Sequence, residues 1–272
     1  MIDDYFDLPF DELCQRASVI NKEKTQIQAS PTIVDEACAT VPPCRHCKWE
    51  YFKAKGIQTG RRRELCETAQ WAKHLWAQGI RRTFLASGWM GYKIPAEFLR
   101  QAETVRENSD LEIYGLFGAL DKQSLIDLRS AGMQGYLCSL ESPSEAVYRS
   151  FRPGGDNLED RLRAIDWAAG LGLSIWSGFL VGLGETEDDI KNGVKMLTKL
   201  NPVSLSVLPF TPFPNTRMVD SMPASPYTWA RAAATATLAI PQADVFGDQA
   251  VGMYRPYADL FAPNGAYVVP KV

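Results

Sequence analysis

Short apolar runs alternate with longer amphipathic stretches over most of this chain. The apolar runs predict strands near residues 82–88, 111–115, 135–140, 173–181 and 203–210. Apolar side chains at helical spacing predict helices over residues 65–76, 95–106, 122–131, 158–169, 187–200 and 229–240. Strand and helix alternate at every step, which is typical of consecutive βαβ units and predicts a parallel sheet.

Weaker patterns at the two ends complete the set of strands. Thr32–Val34 is β-branched and predicts a first strand, and shorter candidates lie near residues 244–246 and 266–269. A doubly wound sheet and a closed barrel both fit the alternation, but eight strands in 272 residues match a complete TIM-like (β/α)8 barrel. We therefore predict one α/β barrel domain over residues 29–272, preceded by a short helical lead-in over residues 1–28.

The composition is that of a globular protein, with 46% apolar and 22% charged residues. Twenty-nine basic residues oppose 32 acidic ones, which gives no electrostatic reason to expect a nucleic acid or a membrane surface as a partner. The first ten residues are acidic and lack the pattern of a secretion signal. The uncharged stretch 167–184 is interrupted by five glycines and predicts a helix end, a turn and a strand, not a membrane span. The expectation is a cytoplasmic protein.

Three of the six cysteines fall within ten residues, at Cys38, Cys44 and Cys47. They follow the first predicted strand, and the loops at the carboxyl ends of barrel strands form the active face. In a chain without a secretion signal, such a cluster indicates metal binding or redox chemistry. The other cysteines, at positions 14, 66 and 138, are predicted to be buried small hydrophobic residues.

The spacing of these thiols indicates which kind of metal centre they could hold. A structural zinc ion is bound by four protein ligands, and only one Cys-x2-Cys pair is present. Cys66 or His74 would have to complete a zinc site from the first predicted helix, so a zinc-binding barrel is the alternative. A 4Fe–4S cluster held by three cysteines leaves one iron open to a substrate or cofactor. We favour the cluster.

The residues after the cysteines resemble the radical S-adenosylmethionine (SAM) superfamily, and within it the biotin synthase-like group. A small-residue turn, Ser87-Gly88-Trp89, follows the second strand, and Ser139-Leu140-Glu141-Ser142 ends the fourth. Arg161 lies on the helix after it. The segment Ser177–Thr186, SGFLVGLGET, is similar to the fifth-strand motif of biotin synthase and of the hydrogenase maturase HydE. The resemblance runs from about residue 30 to residue 245.

This resemblance implies a radical SAM barrel with a 4Fe–4S cluster on Cys38, Cys44 and Cys47, and SAM as the second cofactor. Reductive cleavage of SAM would yield a 5′-deoxyadenosyl radical that acts on a small-molecule substrate. An external electron donor, flavodoxin-like or ferredoxin-like, is also implied, with no nucleic acid and no membrane.

The cysteine spacing resembles that of one particular family within the superfamily. The usual radical SAM loop separates its cysteines by three and two residues, whereas this one separates them by five and two. That pattern, together with Arg45-His46-Cys47-Lys48-Trp49, is similar to the HmdB family, also called HcgA. This family is associated with making the iron-guanylylpyridinol cofactor of mono-iron hydrogenase, which implies a small organic precursor as substrate. A HydE-like or methylornithine synthase-like enzyme with a variant loop is the nearest alternative.

The resemblance also implies roles for individual side chains. Arg161 would pair with the SAM carboxylate, and Glu141 would face its amino group, sulfonium or a ribose hydroxyl. Arg152 is a further candidate for the same region, and His46 would lie near the adenine. Cofactor contacts are also implied for the turn and for the end of the fourth strand, at Ser87, Gly88 and Ser139.

Each role has an ordinary structural alternative. Arg161 would otherwise form a surface ion pair with Glu159 or Asp160, Glu141 would cap the next helix, and His46 would be a solvated loop residue. Further candidates for lining the barrel interior are Tyr114, Tyr136, Trp176 and Ser177. Strand alternation requires about half of these to point outward instead.

Overall fold

The computed structural model describes residues 1–24, 28–35, 37–47, 62–246, 252–263 and 267–268. Its helices are α1 Ile2–Phe6, α2 Phe10–Lys22, α3 Leu65–Ala77, α4 Ala96–Asn108, α5 Lys122–Ser130, α6 Glu145–Phe151, α7 Leu158–Gly170, α8 Glu187–Leu200, α9 Pro226–Ala239 and α10 Arg255–Phe261. Its strands are β1 Gln28–Ile33, β2 Arg82–Ala86, β3 Glu112–Leu116, β4 Gly135–Leu137, β5 Ser174–Val181, β6 Ser204–Pro209, β7 Asp244–Val245 and β8 Tyr267–Val268. Every predicted strand and helix is confirmed, and the short helices α6 and α10 are additions that the sequence pattern did not predict.

The eight strands form one parallel sheet in the order β7-β6-β5-β4-β3-β2-β1-β8. Four strand spacings separate β2 from β6, which would be about 19 Å in a flat sheet. Nevertheless, Nη1 of Arg82 on β2 lies 2.9 Å from Oγ of Ser204 on β6. The sheet is therefore curled on itself, which confirms the predicted barrel. Over the described residues, β7 and β8 stand at the two ends of the hydrogen-bonded order.

Local sequence signals explain several helix starts. Thr186 and Asp189 form a reciprocal capping box at the start of α8, and Asn157 caps α7 through the Asp160 amide. Pro226 occupies the first turn of α9, where its missing N–H costs nothing. These caps fix the residues at which the helices begin. The apolar faces of the helices then cover the outside of the sheet.

The outward-facing strand residues pack against the helices in the main core. Leu85, Ile113, Phe179 and Val207 are buried there, because successive strand side chains point to opposite faces. Of the candidates for lining the interior, Tyr136 and Ser177 also point outward. Ser177 donates to the Cys138 carbonyl at 2.7 Å, and Tyr136 donates to the Gly118 carbonyl.

The inward face carries a separate aromatic group. Trp176 on β5 stacks on Phe246 at 4.1 Å and meets Phe84 and Tyr114 edge-on at 5.6 and 6.0 Å between ring centroids. The interior positions predicted for Tyr114 and Trp176 are thus the observed ones.

Of the three cysteines predicted to be buried, Cys14 and Cys138 are, but Cys66 is exposed. Thr68, Ala72 and Leu75 form the buried stripe of α3 at helical spacing, and Cys66 lies outside that stripe. No helix in the described part of the chain is both long and apolar enough to span a membrane.

Candidate active site at the carboxyl ends of the strands

The cysteine loop follows β1 and is fixed to two neighbouring segments by backbone hydrogen bonds. The Ala39 amide donates to the Trp89 carbonyl at 2.8 Å, and the Arg45 amide donates to the Phe151 carbonyl at 2.7 Å. A Cβ on Gly88 would lie 2.5 Å from Cβ of Cys38, so only glycine allows this approach. The loop is therefore held between the turn after β2 and the end of α6.

The three thiols of this loop differ in exposure. Cys44 is buried, Cys47 is half-buried and Cys38 is exposed. Burial raises the pKa of the Cys44 thiol to about 12, although the nearby Arg152 opposes the rise. Binding of a metal through the Cys44 sulfur would therefore release a proton.

Three soft sulfur donors on one loop fit an iron–sulfur cluster. No three His, Cys, Asp or Glu side chains of the described residues are already gathered as a finished metal site. Cys66 and His74, the residues that would have to complete a zinc site, both lie on α3, outside the cysteine loop. The donor set thus favours a three-cysteine cluster over four-ligand zinc.

Two arginines and two carboxylates meet beside the loop. Asp156 accepts from Nη2 of Arg152 at 2.5 Å, and its other oxygen lies 3.0 Å from Nε of Arg161. Glu141 Oε1 lies 3.1 Å from Nη1 of Arg161 and 3.8 Å from Nη1 of Arg152. The charges of these four side chains balance one another, and Asp156 is fully buried.

Tyr148 and Ser139 complete this network. The Tyr148 hydroxyl donates to Asp156 at 3.0 Å and accepts from Nε of Arg161 at 2.9 Å. Nη1 of Arg161 donates to the Ser139 carbonyl at 2.6 Å. The Ser139 hydroxyl donates to the Gly178 carbonyl at 3.2 Å and accepts from the Glu141 amide at 2.9 Å. Ser139 therefore supports the backbone on which Glu141 stands.

Glu141 has a φ of +61°, a conformation that non-glycine residues rarely adopt. Its carbonyl accepts from the Leu180 amide at 2.9 Å, and Glu141 bridges to Phe179 on β5. The adjacent strand therefore holds the strained backbone and aims the carboxylate at the two arginines. Glu141 caps no helix, because α6 begins after Ser144.

The carboxylates of this network are ionised at neutral pH. Burial alone would raise the pKa of Asp156, but the Arg161 and Arg152 guanidiniums outweigh it and bring that pKa to about 2. Burial opposes ionisation of Glu141 as well, yet the same arginines, with a smaller effect from His46, lower its pKa.

His46 lies next to the network through Phe151. Its ring meets the Phe151 ring edge-on at 4.8 Å, and its side chain is half-buried. The alternative of a freely solvated loop histidine is therefore wrong.

The alternative of a surface ion pair for Arg161 is also wrong. Arg163 is the residue that pairs with Glu159 and Asp160, at 3.0 and 3.4 Å. Each of the three guanidinium nitrogens of Arg161 donates to a partner inside the protein. In contrast, the buried Nε–H of Arg152 has no hydrogen-bond partner among the described residues. The Nε–H of Arg152, a residue that the sequence analysis gave only as a further candidate, is therefore available to donate to an anionic group of a ligand.

Most of the predicted site residues come together. The residues Ser139, Glu141, Arg152 and Arg161 share direct contacts, and Gly88 abuts Cys38. Ser87 is buried, and its hydroxyl stays local, donating to the Gly88 carbonyl at 2.7 Å. Their roles toward a cofactor remain predictions.

Sequence reasoning missed Asp156 and Tyr148. Asp156 lies four residues after Arg152 and five before Arg161, and this flanking by two arginines is the signal that could have found it. Tyr148 has no such signal, because its partners come together only through folding.

Comparisons with known proteins identify the family and the fold of this chain. The profile of the Radical SAM superfamily matches residues 37–197, which is more than half of the chain. An uncharacterized protein of Methanocaldococcus jannaschii is 27% identical over 255 residues, covering 91% of this chain and 67% of that protein. Biotin synthase of Bordetella avium is 25% identical over 247 residues, covering 88% of this chain and 76% of the enzyme.

Solved structures share the fold. Methylornithine synthase (PylB) superposes with a TM-score of 0.82 at 18% identity, over 99% of this chain and 80% of that one. The FeFe-hydrogenase maturase HydG from Carboxydothermus hydrogenoformans has a TM-score of 0.81 at 19% identity, over 98% of this chain and 66% of that one. This chain belongs to the radical SAM superfamily, whose members are enzymes that bind a 4Fe–4S cluster and SAM.

Proposed function

We propose that this protein is a radical SAM enzyme that holds a 4Fe–4S cluster on Cys38, Cys44 and Cys47 and acts on a small organic precursor of the iron-guanylylpyridinol cofactor of mono-iron hydrogenase. The observation that carries the enzyme class is the three-cysteine loop docked against the Glu141–Arg152–Asp156–Arg161 network. When bound, the cluster and SAM supply a 5′-deoxyadenosyl radical once an external flavodoxin-like or ferredoxin-like donor provides an electron.

The chain's own residues bind and orient the cofactor in this proposal. Arg152 offers its unpartnered Nε–H to the SAM carboxylate, while Arg161 holds Glu141 in place for the SAM amino group or a ribose hydroxyl. His46, packed on Phe151, borders the adenine. Gly88 keeps the turn after β2 close to the cysteine loop.

The proposed role in making the iron-guanylylpyridinol cofactor rests on the sequence. The loop separates its cysteines by five and two residues and contains Arg45-His46-Cys47, the pattern that resembles the HmdB family. Similarity to biotin synthase and to the fold of methylornithine synthase supports the superfamily and leaves the substrate to experiment.

A variant of the third cysteine tests the enzyme class. Cys47→Ser should lose the brown, oxygen-sensitive cluster and at least about 100-fold of the rate of 5′-deoxyadenosine formation, because one of three iron ligands is gone. The protein should still fold, since Cys47 is only half-buried. Iron and sulfide analysis after anaerobic reconstitution, followed by quantification of 5′-deoxyadenosine, gives the result.

Cys66→Ser is the matched control, because Cys66 is an exposed cysteine on α3 outside the loop. It should keep both the cluster and SAM cleavage. A colourless wild-type protein with one tightly bound zinc would overturn the proposal. The substrate is tested by incubation with SAM and candidate pyridinol precursors, with isotope transfer as the readout; turnover of methylornithine or biotin precursors alone would assign another pathway.

A further inference from the structure

The inner face of the barrel leaves a hollow in the upper half of the sheet. Phe84 and Leu116 point inward and are half-buried, whereas their outward neighbours Leu85 and Ile113 are fully buried. The same alternation holds on β5 and β6, where the half-buried inward residues are Leu180, Ser206 and Leu208. Inward side chains of a filled barrel are buried, so their partial exposure marks an open interior.

An aromatic floor closes the lower end of this hollow. The floor consists of Trp176, Phe246 and Tyr114, whose side chains are 1–2% exposed. Trp176 stacks on Phe246 at 4.1 Å and meets Tyr114 edge-on at 6.0 Å. The hollow therefore opens toward the carboxyl ends of the strands, where Glu141 and Arg152 lie.

The charged groups inside the barrel lie below the floor. Among the inward-facing strand residues that the structure describes, these are Arg82, Glu112 and Asp244, at the amino ends of their strands. Arg82 lies 2.9 Å from Glu112 and 3.6 Å from Asp244, so this one cation pairs with both carboxylates below the floor. The described walls of the hollow thus offer no partner for an ionised group, and burying such a group unpaired is costly.

One polar group on the wall is positioned for a ligand. The Ser206 hydroxyl accepts from Nε1 of Trp176 at 2.6 Å and is half-buried. This contact uses an oxygen lone pair and leaves the hydroxyl hydrogen available as a donor. A ligand oxygen or ring nitrogen that accepts a hydrogen bond suits this position.

We propose that the hollow takes the uncharged, largely apolar ring of a small substrate, with a hydrogen-bond acceptor directed at Ser206. The inference names the substrate class and rests on the proposed function only in treating the hollow as the reaction chamber. The apolar wall then selects against amino-acid-like and other zwitterionic compounds, because their charged groups would lose water without gaining a partner.

Four matched probes test the class of ligand. Benzyl alcohol, toluene, benzylammonium and benzoate share one ring and differ in charge and acceptor. They are titrated by saturation-transfer NMR into the anaerobically reconstituted enzyme with SAM present, so that the adenine position is filled. Benzyl alcohol should bind at least about tenfold more tightly than either ion, since neither ion finds a counter-charge in the hollow. Equal binding of benzoate or benzylammonium would overturn the proposal.

Variants locate the binding in the hollow. Leu208→Lys should raise benzoate affinity about tenfold or more, because it places a cation on the wall. Ser206→Ala should remove the preference for benzyl alcohol over toluene. Leu116→Trp should abolish binding by filling the hollow, whereas Leu65→Trp at an exposed position of α3 should not. If Leu208→Lys does not fold, Leu180→Lys replaces it, and unchanged benzoate affinity in the folded lysine variant contradicts the proposal.

The same samples distinguish this inference from the proposed function. Formation of 5′-deoxyadenosine is measured beside each titration. SAM cleavage with unselective probe binding overturns the substrate class alone. Selective probe binding without iron or SAM cleavage overturns the proposed function and leaves the ligand class standing.

Discussion

Asp156 shows how much one residue contributes to this site. Its two oxygens accept hydrogen bonds from Arg152, Tyr148 and the Ala119 amide and pair with Arg161, although the side chain is fully buried. Removing its charge would leave two buried guanidiniums opposed only by Glu141. Breaking a buried pair in this way is strongly destabilising, because the remaining charge keeps its desolvation cost.

We expect Asp156→Asn to lower the free energy of unfolding by about 3 kcal/mol at pH 7. Because the pKa of Asp156 is lowered to about 2 from an ordinary 3.8, its stabilisation is present above about pH 4 and is lost as the pH falls toward 2. The difference in the free energy of unfolding between wild type and variant should therefore become smaller as the pH falls from 4 toward 2. Urea unfolding at pH 7, 4 and 2.5 measures it.

Glu159→Gln is the control, because Glu159 is 84% exposed and pairs with Arg163 at the surface. It should change stability by less than about 0.5 kcal/mol at every pH. A pH-independent loss in Asp156→Asn would show that Asp156 acts through packing and not through its charge.

At the scale of elements, the cysteine loop is positioned by close backbone contacts. Gly88 meets Cys38, and Gly154 approaches the Val41 carbonyl so closely that a Cβ would lie 2.4 Å from its oxygen. These contacts join the loop to the turn after β2 and to the segment between α6 and α7. Two glycines thus set where the three sulfurs lie relative to the arginines.

Gly88→Ala should displace the cysteine loop, since the new Cβ would lie 2.5 Å from Cβ of Cys38 and 2.6 Å from the Ala37 carbonyl. We expect a stability loss of about 1–3 kcal/mol and a lower iron content after reconstitution. Thermal unfolding and iron analysis are the measurements. Gly170→Ala, where a Cβ meets nothing within 4 Å, should leave the iron content unchanged. Full cluster loading in Gly88→Ala would contradict this account.

At the scale of the whole molecule, Arg82 links strands that are far apart in the sheet. From β2 it reaches Ser204 on β6 at 2.9 Å and Asp244 on β7 at 3.6 Å. Its guanidinium also lies 4.9 Å over the Tyr114 ring, against the underside of the aromatic floor. Arg82 therefore fastens the curled sheet below the floor.

Arg82→Met should cost about 3–5 kcal/mol at pH 7, because Asp244 would lose its ion-pair partner. Burial raises the pKa of Asp244 even with Arg82 and Lys24 opposing it, and removing Arg82 would raise that pKa further. Protonation of Asp244 then relieves the unpaired charge, so the loss should be smaller at pH 4 than at pH 7. Chemical denaturation at both pH values tests this.

The double variant Arg82→Met/Asp244→Asn is the control for this link. It should recover part of the stability lost in Arg82→Met, since no unpaired carboxylate remains. If the double variant is no more stable than the single one, Arg82 acts by its contacts with Ser204 and Tyr114 and not by its charge.

The elements of this protein could be predicted well because each is a local pattern. Apolar runs bounded by glycines gave the strands, and residues with capping side chains, such as Thr186, marked helix starts. The cysteine loop could also be predicted, since its three thiols are neighbours in the chain. Helices α6 and α10 were missed because seven residues carry too little periodicity to separate them from a loop.

The sequence by itself determined the order of strands and helices, the parallel sheet and the three-thiol loop, because these depend on residues close together along the chain. The tertiary structure alone decided which strand residues face the interior. Both faces of these strands are apolar, so alternation gives the spacing but not the face, and Tyr114 points inward while Tyr136 points outward. It also decided the charge network, because Asp156 meets Glu141's arginine partners only after β4, α6 and α7 have packed together.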